Sequence, residues 1–405
     1  MIKSPESFFS HSGKSMKRSA IREILKVLTK PEMISFAGGL PAPETFPVED
    51  LKKIVLEVLE KNGPESLQYG ITEGDLKLRR LLVERHKAHG LDIALENLII
   101  TTGSQQALDL IARILIDPGD YILCGLPSYL GGLNAFSAYG AKLKGIPLDE
   151  SGMQPDKLES TIVHLRELGR KIKFIYLIPD FQNPAGITMP ESRRLQIIRI
   201  AEKYNILIIE DSPYREIRFE GEQQKLICQL DTSGRTITLF TFSKILAPGF
   251  RVGWVIGNAG ILDRIVTAKQ TADLCTSAFV QKVIALYIEK GLLEKNLVKT
   301  IKLYRERRNH MTGCFKKYMP EGVTWTEPQG GLFLFLTMPG KTDSEAILKK
   351  AIERNVAFVP GASFFCNRTG CNTMRINFSY SDLKDIEEGV KRLSEVIKEE
   401  ISSNT

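Results

Sequence analysis

Between about residues 48 and 290 the chain alternates short apolar β-rich runs with amphipathic segments, and that order constrains the fold more than any other feature. The runs are NLIIT, YILCG, KFIYLIP, ILIIED and TITLFTF, and the segments between them include 74–89, 105–116 and 190–204, with apolar residues at helical spacing. Strands apolar on both faces and joined through helices predict an α/β fold: a mostly parallel sheet flanked by helices. In such sheets ligands bind beyond the carboxyl ends of the strands, so the residues just after these runs are the ones to inspect.

The pattern changes near residue 290. A long charged helical stretch, LLEKNLVKTIKLYRERRNHMTGCFKKY, leads into short strands and helices, and the last segment sets Ile386, Val390, Leu393, Val396 and Ile397 on one face. The expected division is an N-terminal arm and helix over 1–45, a large domain over 46–290 and a smaller α+β domain over 291–405. Within the first part, the polar residues 1–17 predict a flexible or extended arm, 18–30 a short helix, and SFAGGLPAPETFP (35–47) an irregular path. With 405 residues there is ample material for a core. Six cysteines without a C-x-x-C pair point to incidental thiols in a reducing compartment.

Function classes narrow by elimination. The net charge of +7 comes without a long Lys/Arg run, which suits small anionic ligands better than nucleic acid. No apolar stretch approaches the ~20 residues of a membrane span, and the first residues lack a signal core, so a cytoplasmic protein is expected. Gly340-Lys341-Thr342 lacks the glycine of a phosphate loop, and Gly361-Ala-Ser363-Phe-Phe365 breaks the nucleophile-elbow pattern. His86 and His89 share a predicted helix without an acidic neighbour to complete a metal site; they are read as surface residues, and no metal is expected.

The sharpest stretch is TLFTFSKILAPGFRVGW, 238–254, which sets Lys244 directly after an apolar strand. Partial burial would lower its pKa, and a neutral amine can form a Schiff base with a carbonyl cofactor. Thr241, Ser243 and Arg251 could together hold a phosphate. A solvated lysine capping a loop fits the same letters. Asp211 in IIEDSPY, also carrying Tyr214, reads either as a site carboxylate or as a helix cap. IPDFQNPAG holds Asn183 in what could be a simple Pro-Gly turn, and its Asp180 has no evident role. TTGSQQALDL runs from strand to helix through a glycine, where free amides favour an anion. Arg375 in TMRINFSY is by itself an ordinary ion-pairing arginine.

The segment 238–254 closely resembles the lysine signature of the fold-type I pyridoxal-phosphate (PLP) aminotransferases of class I/II, and the remaining family positions follow in order along nearly the whole chain. The resemblance implies the PLP-dependent transferase fold of type I, with Lys244 carrying the cofactor. Asp211 would pair with the ring nitrogen, while Tyr214 and Asn183 would bond its phenolic oxygen. Tyr129 would stack on the ring, and Ser104 and Gln105, with Thr241, Ser243 and Arg251, would bind the phosphate. Arg375, with Asn183, would grip the substrate α-carboxylate. Tyr69 would reach the phosphate of the other subunit, which implies a homodimer with shared sites. Ser212 stands where the family often has a second Asp.

Within the family the chain most resembles the 2-aminoadipate/kynurenine group, through SAIREIL, SFAGGLPAPETFP, LQYG-x-TEG, GSQQALDL, AKQTADL and NVAFVPG. There a mobile N-terminal helix covers the substrate; Ser19 and Arg22 align with positions that meet a distal carboxylate, and Gly39 would lie on the substrate side. The implied activity moves an amino group from 2-aminoadipate, glutamate or an aromatic amino acid to a 2-oxo acid such as 2-oxoglutarate. Rival readings are a PLP-dependent lyase on the same scaffold, a PLP-binding regulatory domain and a structural protein that kept the fold.

Overall fold

The computed structural model describes residues 4–16 and 32–403. The helix expected over 18–30, with Ser19 and Arg22, lies outside them. Residues 4–16 depart from the expected extended arm: they form a 3-10 turn, Pro5–Phe8, and a short helix, His11–Ser15. The turn starts on a proline, and the Ser10 hydroxyl caps the helix by accepting from the Gly13 amide at 3.0 Å. Both local signals are set by single residues and outweigh the polar composition.

An eight-stranded sheet dominates the molecule. In chain order its strands are β2 (Leu98–Thr101), β3 (Tyr121–Leu126), β4 (Lys142–Asp149), β5 (Gly152–Met153), β6 (Ile172–Leu177), β7 (Leu207–Asp211), β8 (Thr236–Thr241) and β9 (Gly253–Ile256). Their spatial order is β2-β9-β8-β7-β6-β3-β4-β5. Only β9 and β5 run against the rest. All five β-rich runs of the sequence are strands of this sheet, so the carboxyl ends of β2, β3, β6, β7 and β8 share one edge. β9 escaped the sequence reading because GWVI opens on a glycine directly after the irregular stretch that follows Lys244. Its antiparallel entry between β2 and β8 brings the loop after β8 back against the loop after β2.

Helices cover both faces. Ser104–Leu115 and Glu191–Lys203 lie within a residue of their expected bounds. A second, antiparallel sheet has the order β10-β11-β14-β13, made from Thr324–Trp325, Phe333–Thr337, Thr373–Asn377 and Val359–Pro360. The closing helix, Leu383–Ser403, buries Ile386, Val390, Leu393, Val396 and Ile397 completely. Each such side chain contributes roughly 2 kcal/mol of burial. Residues Ile34–Ser35 (β1) pair with Val356–Ala357 (β12), so the chain ahead of the large sheet is stitched to the C-terminal part.

His86 corrects the surface reading. It is 8% exposed, and its Nε2 accepts from the indole of Trp254 at 2.9 Å. Burial among aromatic rings, with Arg85 beside it, pushes its pKa down to about 3. The neutral ring is therefore a structural acceptor inside the core. His89 is exposed as expected.

Candidate active site

A cavity of about 1660 Å³ opens at the strand carboxyl ends, and its lining includes Gly39, Gln105, Tyr129, Asn183, Tyr214, Lys244, Arg251 and Arg375. Residues hundreds of positions apart meet there because β2, β6, β7 and β8 end on one edge while β14 contributes from the smaller sheet.

Lys244 follows β8 and donates from Nζ to the Gly39 carbonyl at 2.6 Å. Burial, with Arg375 and then Arg251 nearby, lowers its pKa from 10.5 to about 8. Asp211 ends β7 and is 2% exposed. One carboxylate oxygen accepts from the Tyr176 hydroxyl at 2.8 Å, while Oδ1 has no hydrogen-bond partner. Burial raises its pKa to about 7, against the opposing pull of the Tyr176 bond. A buried carboxylate oxygen without a partner is costly and calls for a cationic or N–H donor.

Asn183 joins two groups. Its Nδ2 donates to the Tyr214 hydroxyl at 3.1 Å, and its Oδ1 accepts from Arg375 Nη1 at 3.1 Å. Arg375, 1% exposed, also donates to the Ala37 carbonyl at 2.7 Å. Its guanidinium lies 4.2 Å from the Phe333 ring centre and 5.1 Å from that of Phe364, which favours a cation. Among the described residues no carboxylate pairs with Arg375, and its Nε is buried without a partner. Burial pushes its pKa down to about 10. A guanidinium so poorly compensated is suited to a ligand's carboxylate.

An anion cradle sits between the loops after β2 and β8. Gly103 precedes the helix Ser104–Leu115 with φ +76, and a Cβ there would lie 2.6 Å from Arg251 Nη2. A Cβ on Gly253 would press to 2.9 Å on the Ser104 amide. Both glycines therefore clear space around free helix-end amides. Arg251 Nη1 donates to Ser243 Oγ at 3.3 Å, and Thr241 Oγ1 donates to Ser243 Oγ at 2.9 Å. Gln105 reaches the Gly131 carbonyl at 3.0 Å and takes the Tyr129 hydroxyl at 3.3 Å. Tyr69 stands apart: it is 79% exposed and does not line the cavity.

Several supporting residues had no signal in the sequence. Tyr176 reaches Asp211 only because β6 lies beside β7, with Tyr176 opposite Ile209. Phe333, under Arg375, is one apolar letter in a strand. Lys269, fully buried, donates to Asp273 at 2.6 Å, and Asp273 accepts from Thr102 and Gln106 at 2.7 Å, bracing the start of the cradle.

Comparisons with known proteins identify the family. The family described as Aminotransferase class I and II matches residues 31–393. An aromatic-amino-acid aminotransferase of Thermococcus litoralis is 47% identical, across 98% of this chain and 95% of that one. A solved kynurenine aminotransferase of Pyrococcus horikoshii, in complex with PMP, is 46% identical with a TM-score of 0.94 over 98% of each chain. An alpha-aminoadipate aminotransferase of Thermus thermophilus, complexed with N-(5'-phosphopyridoxyl)-L-leucine, is 34% identical with a TM-score of 0.90, covering 99% of this chain and 100% of that one. The chain thus belongs to the class I and II aminotransferases, enzymes that transfer amino groups.

Proposed function

We propose that this aminotransferase moves the amino group of an L-amino acid with a distal carboxylate or an aromatic side chain to a 2-oxo acid such as 2-oxoglutarate, at a cavity built around Lys244. The carrying observation is the pairing of a lysine amine whose pKa is brought down to about 8 with a buried arginine that has no carboxylate partner among the described residues. Pyridoxal phosphate is the cofactor; when bound it supplies an aldehyde that captures amines and a ring that takes up the electron pair released at the substrate Cα. The residues fit it: Asp211 Oδ1 lacks the donor a ring nitrogen would supply, and the Gly103–Ser104 amides with Arg251, Thr241 and Ser243 suit a phosphate.

Each side chain then has one task. Lys244 accepts the substrate Cα proton as a base and returns it as an acid, which a pKa of about 8 permits near neutral pH. Asp211 would keep a proton on the cofactor's ring nitrogen, Tyr214 and Asn183 would hold its phenolic oxygen, and Tyr129 would cover its ring. Arg375, with Asn183, holds the α-carboxylate of donor and acceptor alike. Arg22 and Ser19 receive a distal carboxylate, and Gly39 leaves room at the substrate side.

The protein works as a homodimer in the cytoplasm. The exposed Tyr69, with Leu67 72% and Ile71 56% exposed beside it, supports a role across a subunit boundary. Among the described residues no helix is long and apolar enough to cross a membrane. The kinship with aromatic, kynurenine and aminoadipate enzymes supports a donor range spanning both side-chain classes.

The deciding experiment is an absorbance spectrum of the cofactor-loaded protein before and after L-2-aminoadipate, without an oxo acid. Conversion to the pyridoxamine form is the expected result. A cofactor that binds Lys244 but ignores aminoadipate, glutamate, kynurenine and aromatic donors would overturn the proposal.

A further inference from the structure

Asp180 has no place in the chemistry described above, yet among the described residues it is paired with three arginines. Its side chain is fully buried, as is that of Arg194, which grips it through two nitrogens at 2.7 and 3.3 Å. Arg215 reaches the same carboxylate at 3.4 Å and Arg218 at 3.8 Å. A second buried acid, Glu210, lies 3.9 Å from Arg194 but spends its oxygens on the Ile227 and Cys228 amides and the Thr238 hydroxyl. Buried ion clusters are weak devices for stability, since desolvation consumes most of the Coulomb gain. What such a cluster does well is fix geometry.

The geometry it fixes is that of the Asn183 loop. Immediately after Asp180, Phe181 takes a left-handed φ of +52, a conformation unfavourable for a non-glycine residue that persists only when its surroundings hold it. Its buried ring lies 4.6 Å beneath the Arg218 guanidinium. On the other side it meets Gly330 and Gly331, where an added Cβ would press to 2.2 and 2.6 Å of Phe181 atoms. From this turn the chain continues to Gln182, which donates to the Pro127 carbonyl at 2.9 Å, and then to Asn183. The same arginine segment pairs with the chain leading to Phe333: Arg218 bridges Gly330, and the Gly331 amide donates to the Ile217 carbonyl at 2.8 Å. Both neighbours of Arg375, Asn183 and Phe333, are thereby referenced to one carboxylate.

We propose that Asp180 is a positioning residue: clamped by Arg194, Arg215 and Arg218, it fixes the Phe181 turn and so sets where Asn183 stands between Tyr214 and Arg375. The proposal rests on the reading of Asn183 as the residue facing the cofactor's phenolic oxygen and the substrate carboxylate. Asp180→Asn keeps the size and removes the charge, so the arginines spread and the turn loosens. Asn183 then donates less well to the phenolic oxygen, and the visible absorbance of the cofactor-loaded enzyme titrates at a higher pH.

The test titrates that absorbance for the wild type, Asn183→Ala, Asp180→Asn and Arg215→Gln, with KM and kcat measured alongside. The expected midpoint rises by about one pH unit in Asp180→Asn, further in Asn183→Ala and less in Arg215→Gln. KM for donor and acceptor should rise together, about tenfold, with a smaller fall in kcat. Arg215→Gln disturbs the cluster from its more accessible rim and decides the matter alone if Asp180→Asn does not fold. If Asn183→Ala moves the midpoint while the other two variants only lower the Tm, the proposal is overturned and the reading of Asn183 stands. If Asn183→Ala itself leaves the midpoint in place, the reading and the proposal fall together.

Discussion

Lys244→Met should abolish turnover in the presence of cofactor and yet make the cofactor-free protein more stable. The argument runs through protonation. In the unfolded chain the amine titrates near 10.5, and in the folded chain burial with Arg375 and Arg251 brings it to about 8. Below pH 8 both states carry the proton, and the folded state bears the cost of a charged amine in a cleft lined by two guanidinium groups. Between 8 and 10.5 the unfolded chain binds more protons than the folded one, so stability rises with pH and the penalty fades. At about 1.4 kcal/mol per pH unit the full penalty is roughly 3 kcal/mol. Lys244 is part-exposed in the open cavity, so water screens some of it, and the lost bond to Gly39 offsets more; about 2 kcal/mol is the expected gain at pH 7. Methionine keeps the stem's volume without the charge. Chemical denaturation of both cofactor-free proteins at pH 7 and pH 10.5 reads the difference directly, because all other titrating groups cancel. A variant less stable than the wild type at pH 7, or a difference that does not shrink toward pH 10.5, would refute the reasoning.

Three further outcomes are expected. Arg375→Lys loses one of two parallel bonds to the α-carboxylate, about 2 kcal/mol, so kcat/KM should fall about 30-fold for donor and oxo acid alike; steady-state kinetics with both substrates checks this, and a loss for only one of them contradicts a shared α-carboxylate site. His86, held neutral with a folded pKa of about 3 against 6.5 when unfolded, contributes stability that is present above pH 6.5 and lost as pH falls from there toward 3; His86→Leu should cost about 1–3 kcal/mol at pH 7 by stranding the Trp254 indole N–H, and flatten the acid limb of the stability curve. Arg22→Ala should weaken dicarboxylic donors more than aromatic ones in parallel KM measurements, and equal losses would remove Arg22 from side-chain recognition.

Much of the sheet was legible because its strands are parallel and buried on both faces, which makes them continuous apolar runs such as KFIYLIP and TITLFTF. Lys244 and Asp211 stood out for the same reason, being polar letters at the ends of such runs. The legible residues are those whose surroundings are set by the strand they terminate. Tyr176, Phe333 and Asp180 owe their surroundings to strand order and to the link between two sheets, and no local spacing carries that information. His86 was misread for a related cause. It sits on a charged helix, Leu76–Ala88, and its partner Trp254 is 168 positions away on a strand the sequence reading did not find. The N-terminal helix His11–Ser15 was missed because one cap and one turn of chain leave almost no periodic signal.

The cations of the cavity also explain how one lysine can serve as both base and acid. Burial lowers the Lys244 pKa most, Arg375 and Arg251 add to it by proximity, and both arginines are placed to meet anions: Arg375 against the Phe333 and Phe364 rings with no carboxylate beside it among the described residues, Arg251 at the Gly103–Ser104 cradle. Together with burial, their charge brings the Lys244 pKa down to about 8, so that the amine gives up its proton far more readily than a solvated lysine. A phosphate at the cradle and a carboxylate at Arg375 would cancel most of that field, and the same amine would then hold a proton more firmly. On the proposed roles, filling the site would therefore raise the basicity of Lys244, and the groups proposed to bind substrate and cofactor would also set the basicity of the proposed base. Asp211 responds in the opposite sense. Burial holds its pKa near 7 in the ligand-free chain, and a cationic ring against its unpartnered oxygen would draw it down to a full carboxylate. Loading the site therefore drives the two groups apart, Lys244 toward a stronger base and Asp211 toward a fixed anion, which is the separation that proton transfer at Cα requires.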